Sequence, residues 1–328
     1  MTEKNIRHRR VQNDKSSEIK KGDKEIKKNK IAANNEELRL ATGSFKHRLW
    51  TRGVVVISVA VIVYFYKIGQ TREKKFALAR ENLALRMQTF KCSEEYEKEM
   101  QQFPQCVPQK CGRFVADKLI EPDEVEQLLD MATSIINLGG SSGGASILDI
   151  HSGALSYGDK FLNIYQMPQA KELIKPEHLK TYNLVKGKIK LAIAEHFGIA
   201  AESLHLTYPT FFSRITNVTA KTVHDEYWHE HVDKETYPSF HYTSLLYLTT
   251  INKDFKGGRF VFVDGEGENR TTSSVEPKKG RVGAFTSGWE NKHHVEEVSE
   301  GTRFAVTISF SCDKKFSISD PKMSALKE

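Results

Sequence analysis

The spacing of apolar positions changes once along the chain, at about residue 204. Before that point two segments place apolar residues at helical spacing. One begins at Pro122 and extends to about Leu138, and the other follows Pro176. After residue 204 the apolar residues fall into short β-rich runs separated by Gly, Asn and Asp turns. Helices followed by strands predict an α+β domain in which the helices buttress a sheet.

An uncharged apolar run at 53–66 is flanked by Arg52 and Lys67. Its length is short for a bilayer and would also suit a buried helix. The two cations and nearby aromatic residues extend the usable length to 49–68, because such side chains favour the membrane interface. The late start of the run disfavours a cleaved signal peptide. We therefore expect a signal-anchor transmembrane helix that contacts a lipid bilayer through residues 49–68.

The remaining segments differ in polarity and periodicity. Residues 1–48 are polar and rich in lysine, which predicts disorder. Charged residues surround apolar ones between 70 and 91, which predicts a helical stalk. The predicted organisation has six parts: a disordered basic cytoplasmic tail (1–48), the transmembrane helix (49–68), the stalk (69–110), a helical support region (111–203), the β-domain (204–313) and a C-terminal tail (314–328).

The basic isoelectric point of about 9.0 belongs to the N-terminal tail. Residues 1–52 contain 15 Lys and Arg against 7 Asp and Glu, a net charge of +8, whereas the whole chain carries +7. Everything after residue 52 therefore sums to −1 (7 − 8 = −1). The body of the protein has no global positive field to attract phosphate. Binding of nucleic acid is not expected.

Four cysteines lie C-terminal to the apolar run, and none has the CxxC spacing of a zinc site. Four unrelated buried thiols are one interpretation. The even number on one side of the run also fits two disulfides in an oxidising lumen, with three possible connectivities. The cysteines are Cys92, Cys106, Cys111 and Cys312.

Two N-x-S/T glycosylation acceptors, at Asn217 and Asn269, lie on the same side of the run as the cysteines. The lysines and arginines near the run do not themselves favour a cytoplasmic N-terminus. The acceptors and cysteines together favour a single-pass type II membrane protein of the secretory pathway. Its body would then be lumenal.

The residues with the clearest chemistry are His231, Asp233 and His293. If His231 and Asp233 lie on a strand, the alternation of side chains places them on one face, where both can reach one metal. A third ligand from His293 completes two histidines and a carboxylate, the donor set of non-haem Fe(II) sites with open positions. A shift of one residue would select His294 instead. Arg303 shares a predicted strand face with Ala305 and could bind a carboxylate through its forked guanidinium.

These motifs resemble the prolyl 4-hydroxylase-like branch of the Fe(II)/2-oxoglutarate dioxygenases. The family pattern is H-x-D, a Tyr-Leu strand, a Gly-Gly strand and H-x-V-x-x-V-x-x-G-x-R. This chain has matching residues at all four places, over a resemblance that covers about 110–313. The matches are His231-Val232-Asp233, Tyr247-Leu248, Gly257-Gly258 and the eleven residues from His293 to Arg303.

The resemblance implies a double-stranded β-helix of the jelly-roll or cupin type. It implies that His231, Asp233 and His293 hold Fe(II) and that Arg303 binds the C5 carboxylate of 2-oxoglutarate, with Tyr247 as a further contact. Oxygen would be the second co-substrate, and ascorbate a possible reductant. The expected reaction is hydroxylation of a side chain in an unidentified protein or peptide, prolyl or lysyl by kinship, with decarboxylation of 2-oxoglutarate to succinate.

Two other functions were weighed against this one. The first is a catalytically silent β-helix that serves as a binding or scaffold protein, which the complete set of ligands disfavours. The second is a zinc hydrolase, which leaves Arg303 without a role and lacks an evident general base.

Among the other polar residues, we expect His224, His229 and His241 at the surface or behind the ligands, and Thr307 and Ser309 as ordinary strand residues that could assist Arg303.

Overall fold

The computed structural model describes residues 27–35, 47, 50–66, 72–267 and 270–321. Contacts divide the chain into two compact units, 1–70 and 71–328. In the first unit, residues 27–35 and 50–66 are helical and their side chains are exposed. Residues 27–35 of the tail predicted as disordered form an exposed helix. Apart from residue 47, the rest of that tail lies outside the described residues.

The segment 49–68, which the sequence predicts to cross a membrane, is helical in its described part. Within the described residues, no helix combines the length and the apolar character needed to cross a membrane. The described helix covers 50–66, and residues 49, 67 and 68 lie outside the described part of the chain.

The second unit is built of strands and helices that we number in chain order. The strands are β1 (Arg72–Ala77), β2 (Arg86–Phe90), β3 (Cys111–Ala116), β4 (Gly140–Ser141), β5 (Ala145–Asp149), β6 (Ala154–Gly158), β7 (Lys160–Asn163), β8 (His205–Thr216), β9 (Tyr242–Tyr247), β10 (Phe255–Gly257), β11 (Phe260–Asp264), β12 (Thr271–Val275), β13 (Val282–Thr286), β14 (His293–Val295) and β15 (Val298–Ser311). The α-helices are α1 (Glu94–Met100), α2 (Pro122–Ile136), α3 (Pro168–Leu173), α4 (Pro176–Phe197) and α5 (Asp233–Thr236).

The described strands form two sheets. The larger sheet has the order β2-β3-β13-β9-β15-β8-β5-β6-β4, with β10 added to β15 and β7 to β6. The smaller sheet has the order β1-β12-β11-β14. The order is not that of the sequence because the chain crosses repeatedly between the sheets, as in a jelly roll. The predicted α+β class with a jelly-roll core is confirmed.

Alternation along the central strands divides the apolar residues between two cores. Leu246 of β9 and Val306 of β15 face the helices and pack with α2 and α4. Tyr247 and Ala305 face the other way and pack against the smaller sheet. The larger sheet thus lies between a helical layer and the smaller sheet. The interior between the two sheets is where the predicted site residues meet.

The helices predicted after Pro122 and Pro176 are confirmed as α2 and α4. The region 111–203 was predicted as helical support, but it also contributes strands β3 to β7. Several of these strands are short, and the Gly-rich segment at 139–144 contains β4. Their pairing partners lie far away in the sequence, so local periodicity did not reveal them.

The helical stalk predicted at 70–91 is wrong. Residues 72–77 form β1, which pairs in parallel with β12, and residues 86–90 form β2, which pairs with β3. Phe76 and Leu83 are buried in the core between the sheets. The charges between the apolar residues lie on edge strands, where one side faces solvent. The oxygenase-like unit therefore begins well before residue 111.

Two fully buried arginines connect this N-terminal region to the two packed sheets, which together are called the barrel below. Arg281 donates to both carboxylate oxygens of Asp117, at 2.6 and 3.0 Å, and to the backbone carbonyl of Leu78. Arg113 donates to both oxygens of Asp264, at 3.0 and 2.7 Å. Forked pairs of this kind fix both position and orientation. They join strands that the sequence separates widely.

Two disulfides are present in the unit, which agrees with the interpretation of the four cysteines as two bonded pairs. Cys92 is bonded to Cys111 and Cys106 to Cys312, with sequence separations of 19 and 206. The second bond ties the segment after α1 to the end of β15. In the described part of the predicted C-terminal tail most residues are exposed, but Ile318 packs against the core and its N–H donates to the carbonyl of Leu206.

Removing the Cys106–Cys312 bond should destabilise the fold more than removing the Cys92–Cys111 bond. A disulfide stabilises by restricting the unfolded chain, and the effect grows with loop length. We expect the paired change to serine at Cys106 and Cys312 to lower the free energy of unfolding by about 4–5 kcal/mol, and the change at Cys92 and Cys111 by about 3 kcal/mol. Urea unfolding of both variants checks this, and the reverse order would contradict it.

Candidate metal centre

His231, Asp233 and His293 meet at one end of the space between the two sheets. Each offers a ligand atom, and the three atoms lie within 4.8 Å of one another. The Nε2 atoms of His231 and His293 lie 3.6 and 3.5 Å from Oδ1 of Asp233. Two atoms bound at right angles to one metal, each about 2.1 Å away, lie about 3 Å apart. The observed spacing is therefore close to that of a metal-binding triad.

Backbone hydrogen bonds bring the two histidines together. The N–H of His231 donates to the carbonyl of His293 at 2.9 Å, and the N–H of His293 donates back at 3.0 Å. The strand predicted for His231-Val232-Asp233 is wrong in part, because only His231 joins the sheet, through this isolated bridge. Asp233 begins the one-turn helix α5. The two side chains still reach the same point.

The other ring nitrogen of each histidine is held by the backbone. Nδ1 of His231 lies 2.9 Å from the carbonyl of His229, and Nδ1 of His293 lies 2.8 Å from the carbonyl of Asn291. A carbonyl can only accept, so each Nδ1 carries a proton, and in the neutral ring the lone pair is then on Nε2. This is the tautomer that a metal ligand requires.

Asn291 is a site residue that the sequence reasoning missed. Its side chain is buried and donates to the carbonyls of Gly112 and Thr286, at 3.1 and 2.9 Å. These bonds fix the turn before β14 and so aim the carbonyl of Asn291 at His293. Its position two residues before a ligand histidine could have indicated this role. However, a local pattern does not show the hydrogen bond to Gly112, which is remote in the sequence.

Aromatic rings surround the buried ligands. Phe260 stacks on the ring of His293 with centroids 4.7 Å apart, and Phe285 meets it edge-on at 5.0 Å. Burial lowers the pKa of His293 to about 4, even though Asp233 acts in the opposite direction. Burial alone would raise the pKa of Asp233, but His293 and His231 hold it below its usual range. At neutral pH the site therefore contains an ionised carboxylate and a neutral His293.

Oδ2 of Asp233 is buried and has no hydrogen-bond partner among the described residues. A buried carboxylate oxygen without a partner is costly unless a cation compensates it. The donor set of two imidazoles and one carboxylate also suits iron. The residues present thus fit a divalent metal. The side chain of His231 is 39% exposed, so the centre is accessible from solvent on the side of His231.

The histidines His294, His229 and His241 do not belong to the triad. His294 is the neighbour of His293 on β14 and is not part of the triad, so the register that selects His293 agrees with the geometry. Nε2 of His229 lies 2.6 Å from Glu226, and its ring is exposed rather than directed at the metal site. His241 is buried beside Glu99, behind α5.

Arg303 is buried on the same inner face of the barrel. Its Nε donates to the carbonyl of Gly258 at 3.0 Å, and its guanidinium carbon lies 5.4 Å from the ring centre of Tyr247. Its Nη2 has no hydrogen-bond partner in the described part of the chain. Burial raises the pKa of Tyr247 to about 12, so its hydroxyl stays protonated. A buried guanidinium with a free N–H group fits a carboxylate ligand.

Gly258 is the glycine of the Gly-Gly motif that lies against Arg303. Its φ is +65°, and a Cβ added there would lie 3.0 Å from Cδ of Arg303. The backbone therefore approaches the arginine closely enough for its carbonyl to accept from Nε. Ser309, farther along β15, is buried, and its hydroxyl has no partner among the described residues. Thr307, two positions before it, is half-buried.

Tyr227 covers one end of this interior and was not predicted. Its hydroxyl accepts from the N–H of Val298 at 3.0 Å, and its ring packs against Phe255 and other buried apolar residues. Outside it lies a cleft of about 320 Å³, whose lining includes Trp228 and Asn217. Asn217, the first glycosylation acceptor, is exposed, whereas Asn269 lies outside the described residues.

Comparison with known proteins agrees with this geometry. The family model for the 2OG-Fe(II) oxygenase superfamily matches residues 216–311. The 2-oxoglutarate and iron-dependent oxygenase domain-containing protein 3 of Xenopus tropicalis is 49% identical over 276 residues, which cover 82% of this chain and 86% of that one. Human prolyl 3-hydroxylase 2 is 43% identical over 72 residues, 22% of this chain and 10% of that one.

Among solved structures, a Trichoplax adhaerens prolyl hydroxylase in complex with a hypoxia inducible factor peptide fragment aligns with a TM-score of 0.42 and 12% identity, over 72% of this chain and 95% of that one. The family model and the relative with 49% identity define the class of the protein as an iron oxygenase. The chain belongs to the family of 2-oxoglutarate- and iron-dependent oxygenases. It is an oxidoreductase whose family uses Fe(II), 2-oxoglutarate and O2, as the sequence predicted.

Gly258→Ala should destabilise the protein more than Gly158→Ala. Both glycines have left-handed φ values, +65° and +59°, so alanine is strained at either position. Only at Gly258 does the new Cβ also crowd Arg303, whereas the space around Gly158 is open. We expect Gly258→Ala to lower the free energy of unfolding by about 1–3 kcal/mol more than Gly158→Ala. Equal losses in urea unfolding would contradict the packing against Arg303.

Proposed function

We propose that His231, Asp233 and His293 hold Fe(II) and that Arg303 binds the C5 carboxylate of 2-oxoglutarate. The enzyme then hydroxylates a C–H bond of a polypeptide side chain, with decarboxylation of 2-oxoglutarate to succinate. The observation that carries this proposal is the convergence of three ligand atoms within 4.8 Å, on the same inner face of the barrel as a buried arginine with a free N–H group.

The protein contributes position, charge and exclusion of water. When bound, the iron supplies the oxidising chemistry that O2 and 2-oxoglutarate need. His231 and His293 present fixed lone pairs because the backbone holds each Nδ1 proton. Phe260 and Phe285 exclude water from the buried side of the ligands. Ascorbate serves in this proposal as a reductant that keeps the iron in the ferrous state.

Arg303 and Tyr247 would act together on the distal carboxylate. The guanidinium supplies the permanent charge and a forked pair of donors, which lysine does not reproduce. The protonated hydroxyl of Tyr247 supplies a further donor from β9. Since both side chains are buried, the ion pair would form away from water, where it is strongest.

The proposal is tested by the visible charge-transfer band of a bidentate keto acid on iron. The purified full-length chain with Fe(II) and 2-oxoglutarate, kept free of oxygen, should develop this band. His293→Ala should abolish the band because it removes a ligand, whereas His294→Ala should retain it and serves as the matched control. Lack of the band in the wild-type chain would overturn the proposed function, and loss in His294→Ala alone would reassign the ligand.

Arg303→Lys should weaken 2-oxoglutarate binding by at least about tenfold, since lysine offers a point charge in place of the fork. Titration of the charge-transfer band with 2-oxoglutarate gives the dissociation constant. Arg259→Lys is the matched control, because Arg259 pairs with Glu296 and Glu73 outside the site. If both variants bind 2-oxoglutarate equally well, Arg303 is not the carboxylate ligand.

A prolyl or lysyl side chain in a protein or peptide is the proposed target. The kinship to prolyl 3-hydroxylase 2 over 72 residues supports a prolyl residue, although the overlap covers a small part of that protein. The centre is open to solvent at His231, which suits a large substrate such as a polypeptide better than a small molecule enclosed in a cavity. Mass spectrometry of candidate peptides would detect the gain of one oxygen atom.

We further propose that the domain works in the lumen of the secretory pathway as part of a type II membrane protein. The two disulfides support an oxidising compartment. The exposure of Asn217 supports glycosylation there, and Asn269 is a second acceptor. A glycan on Asn217 would stand beside the cleft that Trp228 lines. Membrane attachment through 49–68 rests on the apolar sequence alone, and a mobility shift on treatment with peptide N-glycosidase tests the orientation.

A further inference from the structure

A cluster of charged and polar side chains lies directly behind the metal-ligand segment. Nζ of Lys234, the residue after Asp233, donates to Oε1 of Glu99 at 2.8 Å and to the carbonyl of Pro238 at 2.6 Å. Nε2 of His241 lies 3.2 Å from the same carboxylate oxygen. The side chain of Lys234 is 16% exposed and that of His241 is 1% exposed. The side chain of Glu99 is 36% exposed, so the cluster is open to solvent on the side of Glu99.

The hydrogen bonds determine which atom carries each proton. The backbone N–H of Cys312 donates to Nδ1 of His241 at 3.1 Å, so Nδ1 is an acceptor and the proton is on Nε2. His241 therefore donates from Nε2 to Glu99. Burial alone would raise the pKa of Glu99, but the bonds from His241 and Lys234 lower it to about 2. Glu99 is a carboxylate that accepts from both neighbours.

The cluster fixes α5, and α5 carries the ligand. The N–H of Lys234 donates to the carbonyl of Ser287 at 3.1 Å, so both its backbone and its side chain are held. The carboxylate of Asp233 is held less well, because no described residue donates a hydrogen bond to its Oδ2. The position of Asp233 thus depends on the anchoring of the next residue. A single helical turn has little stability of its own to provide it.

The other half of the cluster belongs to a covalently fastened helix. Glu99 lies in α1, and the two disulfides flank this helix through Cys92 and Cys106. Tyr96, on the same helix, donates to the carbonyl of His241 at 2.8 Å. The carboxylate therefore approaches α5 from a rigid element. A partly buried ion pair adds little to the stability of a fold, because the cost of desolvation offsets the attraction between the charges. The pair of Lys234 and Glu99 therefore fits a role in positioning.

We propose that Lys234 and Glu99 are positioning residues that hold Asp233 for the metal, and that their ion pair sets the affinity of the centre for a divalent cation. This inference rests on the proposed function, because it assumes that Asp233 is a ligand. It assigns a role in the site to α1, which lies far before the residues 216–311 that carry the family's motifs.

The test measures Mn(II) binding to the full-length chain, through the loss of the free-ion electron paramagnetic resonance signal, without catalysis. Lys234→Met should raise the dissociation constant by about tenfold or more, since residues that orient a ligand typically change affinity by about 10- to 100-fold. Glu99→Gln, which keeps an acceptor but removes the charge, should raise it by less. Combining the two changes should weaken binding no further than Lys234→Met alone, because the residues act as one unit.

Lys188→Met is the matched control for a general loss of stability. Lys188 donates to both oxygens of Glu124 at 2.7 Å and joins α4 to α2, with comparable burial and no contact with α5. We expect its Mn(II) dissociation constant to stay within about twofold of the wild-type value. Urea unfolding of both lysine variants allows comparison at matched stability.

Equal dissociation constants for Lys234→Met, Lys188→Met and the wild type would overturn the inference while leaving the proposed function intact. Should Lys234→Met not fold, Glu99→Gln decides alone, and an unchanged constant there overturns the inference. Failure of the wild-type chain to bind Mn(II), with no difference from Asp233→Ala, would instead overturn the proposed function.

Discussion

The centre depends on a pair of backbone hydrogen bonds between His231 and His293. These bonds join the segment before β9 to the first residue of β14, at the edge of the smaller sheet. Because both residues bond through their backbones, both imidazoles are left free to face the same side. The two imidazoles that this contact brings together also hold the pKa of Asp233 below its usual range, against the effect of burial.

The residues that support this pair of hydrogen bonds extend beyond the sequence motifs. Asn291 aims a carbonyl at His293, and Lys234 holds the turn that carries Asp233. The second anchor reaches back to α1, and the barrel interior is closed by β1 and β2. Residues 72–110 are therefore part of the oxygenase unit. The disulfides, the buried arginines and the ion cluster all serve to connect this segment to the sheets.

The sequence predicted some features well and others wrongly, for distinct physical reasons. The long helices α2 and α4 were predictable because their apolar spacing is local. The stalk was wrong because edge strands rich in charge resemble an amphipathic helix until their partners are known. Asn291 and Lys234 were missed because their significance lies in hydrogen bonds to Gly112 and Glu99, which are remote in the chain.

By itself the sequence determined the kinds of chemistry present. The H-x-D pair, the spacing from His293 to Arg303 and the Gly-Gly turn specify donor atoms and a carboxylate partner, because those properties belong to residue types at set intervals. Only the tertiary structure decided which atoms face one another. The tautomers, the lack of a partner for Nη2 of Arg303 among the described residues and the anchoring of Asp233 through α1 depend on long-range contacts and burial, which no local pattern encodes.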